Sequence, residues 1–154
     1  MANPIAVGFA RFFFEKRYNE NTYEQIISKL REDGATITER IQAADSANKR
    51  NHSLITHIIG IERWGQTRLR EILGGEAGEA EYDSYRPPRN TKWAELSPLF
   101  EATRQETIAL TEALAEANVG ADRKVAHDTY GALSAAAWLR YLNIHARLES
   151  RKLR

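Results

Sequence analysis

"LITHIIGIERWGQTRLREILG" (54–74) is the stretch that fixes the fold class. Leu54, His57, Ile58, Ile61, Trp64, Arg68, Leu69 and Ile72 recur at steps of three and four, the spacing of one helical face rather than of a strand. The pattern begins near Asn48 and stops at Gly74-Gly75, where a residue without a Cβ readily takes the left-handed conformation that ends a helix. A helix from about Asn48 to Leu73 follows, with His57 on its inner face.

Working outward, the same periodicity covers most of the chain. Ile26, Ile27, Leu30, Ile37 and Ile41 predict a preceding helix, started by Thr22 and Gln25 at capping-box spacing, with Gly34 a possible break in it. After the helix comes "GGEAGEAEYDSYRPPRNT" (74–91), which has no period and enough length to cross the molecule. "TKWAEL" (91–96) reads as a short turn. Ser97-Pro98 reads as the start of a third helix through Leu99, Phe100, Thr103, Thr107, Leu110 and Leu114 to about Ala117. "ADRKVAHDTYGAL" reads as a loop, with no strand-like alternation of useful length. Ser134 caps a last helix carrying Trp138, Leu142, His145, Leu148, Glu149 and Lys152 on one side. The expected architecture is all-α: one domain over 1–154, a four-helix bundle with one long crossover and an extra N-terminal helical segment. That segment, "PIAVGFARFFFEKRY" (4–18), places Phe9, Phe12 and Phe13 on one face, either to cover the bundle or to form a dimer contact.

Composition removes several functions. The chain has no Cys, so disulfides, thiolate zinc sites and cysteine nucleophiles are excluded, and any metal must be held by His, Asp or Glu. With 22 basic against 21 acidic residues the net charge is +1, which gives no general attraction to nucleic acid. No run approaches the roughly 20 apolar residues of a membrane span. The N-terminus lacks the basic start and small-residue cleavage site of a targeting segment, so a cytoplasmic location is expected. No Gly-rich phosphate loop and no G-x-S-x-G elbow is present.

Of four histidines, His57 and His145 both point inward, on different helices. His52 is expected at the surface and His127 in a loop. A buried imidazole needs a partner, and one inward His alone is usually a hydrogen-bonded core residue. Two on facing helices suit a metal site. Glu149, four residues after His145, lies about 40° round the same face and completes a two-His, one-carboxylate ligand set that leaves positions open. Two competing roles exist for Glu149: a surface pair with Lys152, or a buried pair with Arg68.

"LITHIIGIERWGQTRLREILG" (54–74), "WAELSPLFEATRQETIALTEAL" (93–114) and "GALSAAAWLRYLNIHARLESRKL" (131–153) together resemble the DinB-like (DinB/YfiT-like) four-helix bundle superfamily over roughly 48–153. The resemblance implies an up-down-down-up bundle, a homodimer, and zinc or nickel held by three histidines. The first ligand falls on His57, the second on His145 and the third on Glu149, a departure from histidine. It also implies transfer of a low-molecular-weight thiol to a small electrophile, or a hydrolase of related type. The alternative is a non-catalytic bundle with an empty or structural site that acts by binding or dimerisation.

Overall fold

The computed structural model describes residues 2–16 and 22–154. Positions 17 and 18 of the N-terminal aromatic stretch fall outside the described residues. The described chain is mostly helical: α1 (Pro4–Ala10) running into a π-helical turn (Arg11–Lys16), then α2 (Tyr23–Ala43), α3 (Lys49–Ile72), a 3₁₀ turn (Tyr82–Tyr85), α4 (Trp93–Glu116), a hairpin of β1 (Lys124–His127) and β2 (Gly131–Ser134), and α5 (Ala135–Ser150).

Local chemistry sets these boundaries. Thr22 Oγ1 accepts from Gln25 N at 3.3 Å while Gln25 Oε1 accepts from Thr22 N at 3.0 Å, the reciprocal cap that the spacing predicts. Helix α2 then runs unbroken through Gly34. Helix α3 ends where Gly74 takes φ +98. The start of α4 differs from expectation: it begins at Trp93, because Glu95 Oε2 accepts from Lys92 N at 2.8 Å. Pro98 therefore sits inside the helix, and it leaves the carbonyl of exposed Ala94 to solvent.

The hairpin corrects the expected loop. β1 and β2 pair antiparallel from Lys124↔Ser134 to His127↔Gly131. Four residues per strand are too few to show a period of two. The signal lies in the turn, where His127 Nδ1 accepts from Thr129 N at 3.0 Å and Gly131 adopts φ +76.

Helices α2 and α3 each pack against both α4 and α5. Two apolar clusters fill the interior. One holds Leu30, Trp64, Leu69, Leu114 and Trp138; the other holds Ile37, Ile41, Ile58, Ile59, Leu96 and Phe100. On every long helix the residues between them are polar: Asp33, Glu62 and Gln66, Thr103 with Arg104 and Thr107, and Asn143, all buried. Arg104 Nη2 donates to Glu62 Oε2 at 2.9 Å, and Nε lies 2.8 Å from Oε1, close enough for attraction but off the line of a straight hydrogen bond. Arg104 Nη1 donates to Asn143 Oδ1 at 2.6 Å, and Asn143 Nδ2 donates to Asp33 Oδ2 at 2.6 Å, so one chain of bonds crosses all four helices.

Helices α3 and α5 approach closely at Gly65, where a Cβ would collide with both methyls of Leu142. Gly65→Ala is therefore expected to destabilise by about 1–3 kcal/mol, the usual penalty of overpacking, although alanine favours helix by up to about 1 kcal/mol. Urea denaturation checks this; a stabilised variant would show that α3 and α5 can move apart at Gly65 without loss.

The N-terminal segment covers the body of the molecule. Ala10 and Phe14 are buried, and the Glu15 carboxylate accepts from Ser134 N and Ser134 Oγ, both at 2.8 Å, which ties the segment to the start of α5. Ile5, Phe9 and Phe12 remain exposed.

Candidate functional site

The close approach of α3 and α5 brings the two inward histidines together. His57 Nε2 lies 3.2 Å from His145 Nε2, with ring centroids 5.1 Å apart and planes at 68°. Burial lowers both imidazoles from their ordinary range. His145 is pushed down to about 4, by burial first and His57 second. His57 is lowered by burial and then by the nearby Arg86 guanidinium. Both rings are therefore neutral at neutral pH, each with one lone pair to offer. Either one Nε2–H donates to the other ring, or both lone pairs face a shared cation. Two nitrogens bound at about 2.0–2.1 Å to one tetrahedral ion lie about 3.3 Å apart, so the observed separation of 3.2 Å suits a common ion.

Glu149 is beside this pair but is engaged elsewhere. Its Oε1 accepts from Lys152 Nζ at 2.6 Å, and its side chain is 21% exposed. Its charge still opposes the lowering of both histidines. Among the described residues no three His, Asp or Glu side chains are gathered as an ion-holding cluster. The pair with Arg68 does not form. The Arg68 guanidinium instead donates to Gly78 O and Glu79 O, faces Glu71 at 3.5 Å and lies over the Trp64 ring.

What covers His57 was hidden in the aperiodic stretch 74–91. The segment runs back along α3 as a strap. Arg68 holds Gly78 O, Trp64 Nε1 donates to Ala80 O at 3.1 Å, and the Tyr82 ring stands 6.0 Å from His57. Further along, Arg86 Nη2 donates to Ser53 O at 2.7 Å, and His52 Nε2 donates to Thr91 O at 2.7 Å. His52 is thus half-buried under the strap rather than a free surface side chain. The stretch has no period that signals this: several contacts end on its backbone carbonyls, which any side chain can carry, and those of Tyr82 and Arg86 follow no spacing.

His127 is the second departure. At the end of β1 it is 6% exposed, enclosed by Trp64, Trp138, Tyr130 and Tyr141 with centroids 4.5–5.1 Å away. Nδ1 accepts from the turn backbone, so the neutral ring carries its proton on Nε2, which has no hydrogen-bond partner. That tautomer leaves no lone pair on Nε2 for a metal. Burial, and then Arg68, pushes His127 down to about 4.

Below the ordinary value near 6.5 the unfolded chain takes up a proton that the folded chain refuses until about 4. Stability is full above that window, falls across it and levels off below, by about 3 kcal/mol for His127 if fully expressed. His127→Asn, whose side-chain oxygen can replace Nδ1 at the turn, is expected to lose stability less steeply in this window. Urea midpoints across the window measure it, and equal slopes would refute the assignment.

Two tyrosines that periodicity did not single out flank the histidine pair, Tyr82 beside His57 and Tyr141 beside His145, with Tyr130 behind Tyr141. Tyr141 is mostly buried, its phenol pushed above the ordinary range by burial first and by Tyr130 second, with lesser contributions from Asp128, Tyr82 and Glu149. The Tyr141 ring lies tilted 6.0 Å from His145, and Tyr130 stands edge-on 5.8 Å from Tyr141.

Comparison with known proteins finds no family model, no curated protein and no solved structure that matches this chain. Among the described residues, no helix is long and apolar enough to cross a membrane.

Proposed function

We propose that this chain is a four-helix bundle of the DinB-like kind, up-down-down-up, built around a divalent cation, zinc or nickel, between His57 and His145. The observation that carries this reading is the 3.2 Å approach of two neutral imidazole nitrogens on facing helices. Glu149 is the third ligand of the proposal; a half-turn of its carboxylate away from Lys152 is a rotamer change on the same helical face. When bound, such a cation supplies the charge that lowers the pKa of a thiol or water at an open position. The chain's own contribution is the rest. His57 and His145 remain neutral and available as donors. The strap from Gly78 to Arg86 partly covers His57, with the Tyr82 ring edge-on to it. Tyr141 offers an un-ionised hydroxyl beside His145. On this reading the protein transfers an external low-molecular-weight thiol to a small electrophile, or hydrolyses one, which suits a chain without cysteine.

A second reading is favoured by the Glu149–Lys152 contact of 2.6 Å. In it the site stays empty, the two histidines hydrogen-bond to each other, and the protein acts by binding. Exposed Ile5, Phe9 and Phe12 would then be a homodimer contact. Metal analysis of protein purified without a histidine tag separates the readings: near one equivalent per chain supports the first, none supports the second. Glu149→Gln is expected to weaken zinc or nickel tenfold or more. Unchanged affinity would remove Glu149 from the ligand set.

A further inference from the structure

A cavity of about 440 Å³ lies between the N-terminal segment and α5, within the roughly 300–1,000 Å³ range of small-molecule sites. One wall is phenylalanine: Phe9 stacks on Phe13 with centroids 4.9 Å apart and planes at 13°, and Phe14 stands edge-on to both. Tyr130 and Tyr141 line it as well, and Phe14 meets both edge-on, with centroids 5.4 and 6.1 Å away. His145 and Glu149 line the same cavity, so it reaches the His145 side of the histidine pair. The phenylalanine wall is tethered in place, since Glu15 binds both the amide and the hydroxyl of Ser134.

Charge and hydrogen bonding narrow the occupant. The two charged lining residues have counter-charges of their own, Arg147 facing Asp33 at 4.0 Å and Glu149 facing Lys152 at 2.6 Å, so the cavity calls for no net charge. The hydroxyls of Tyr130 and Tyr141 hydrogen-bond to no described residue, which leaves donors for a ligand acceptor. Five phenylalanine and tyrosine rings in the lining favour an aromatic guest.

We infer that this cavity binds a small uncharged aromatic molecule carrying an acceptor such as a carbonyl oxygen, its ring against the phenylalanine and tyrosine rings of the lining and its acceptor on the Tyr141 hydroxyl. In naming this guest as a substrate the inference rests on the metal-centre reading; the pocket itself does not.

The test is fluorescence titration with prodan, an uncharged naphthyl ketone whose emission shifts to the blue in apolar surroundings. Wild type is expected to bind one probe per chain, saturably and with a blue shift. Phe9 is half-exposed, so Phe9→Glu should fold normally by circular dichroism and yet weaken binding at least tenfold. Tyr141→Phe keeps the wall and removes one hydrogen bond, for a loss of about fivefold. Ile5→Glu, on the exposed surface away from the cavity, should bind as wild type does. No saturable binding, equal affinity in Phe9→Glu, equal affinity in Tyr141→Phe, or loss in Ile5→Glu, which would point to a surface patch, each overturns the inference. Titrations with and without chelator keep the two claims apart. Prodan bound by a protein that takes up no zinc sustains the pocket and removes the metal centre, whereas zinc taken up without prodan does the reverse.

Discussion

Arg104→Met is expected to lower stability by about 3–5 kcal/mol, the usual consequence of leaving a buried charge without its partner. Glu62 is 1% exposed, and among the described residues its carboxylate meets the Arg104 guanidinium and the Thr107 hydroxyl, the latter 2.8 Å from Oε1. Removing the guanidinium strands that carboxylate and also releases the acceptors at Leu30 O and Asn143 Oδ1. Replacing both partners, Arg104→Met with Glu62→Leu, is expected to recover most of the loss, because two apolar side chains of similar volume need no solvation. Urea denaturation followed by circular dichroism reads both variants. A single variant that loses less than about 1 kcal/mol would mean that Glu62 is not held as a carboxylate, and the ion pair would lose its place at the centre of the fold.

The second large effect is on metal affinity. Removal of one imidazole by His57→Ala or His145→Ala is expected to reduce zinc or nickel binding by more than the roughly 10–100-fold that outer-shell partners cost. The two losses should not add, because either variant already dismantles the pair. In wild type, zinc at about 100 times its dissociation constant should raise unfolding stability by about 2.7 kcal/mol, an increment absent from both variants. Calorimetric titration and thermal melts with and without zinc test this together. Retention of the increment in His145→Ala would place the ion elsewhere.

Much of this geometry was legible from residue spacing. The period of three and four gives the extent of α3, and Gly74 gives its end. The caps at Thr22 and Ser134 are local, formed within three residues, so they appear in the sequence as they appear in the fold. The inward phase of His57 and His145 is a property of each helix alone. Whether the two rings meet is not, since that depends on how α3 crosses α5, and Gly65 against Leu142 sets the crossing.

The remainder was written in contacts that single-chain patterns do not carry. The hairpin is two four-residue strands held by a histidine that caps its own turn. The strap along α3 bonds through carbonyls at Gly78, Glu79 and Ala80. Glu15 reaches Ser134 across more than a hundred residues of chain. The sequence by itself determined a helical protein without cysteine and with two histidines facing inward, because helix periodicity and composition act over a few residues. Only the tertiary structure decided that His57 and His145 lie 3.2 Å apart, that Glu149 turns to Lys152, and that an aromatic cavity opens beside them. The reason is that helix crossing, side-chain rotamer and burial are set jointly by residues far apart in the chain.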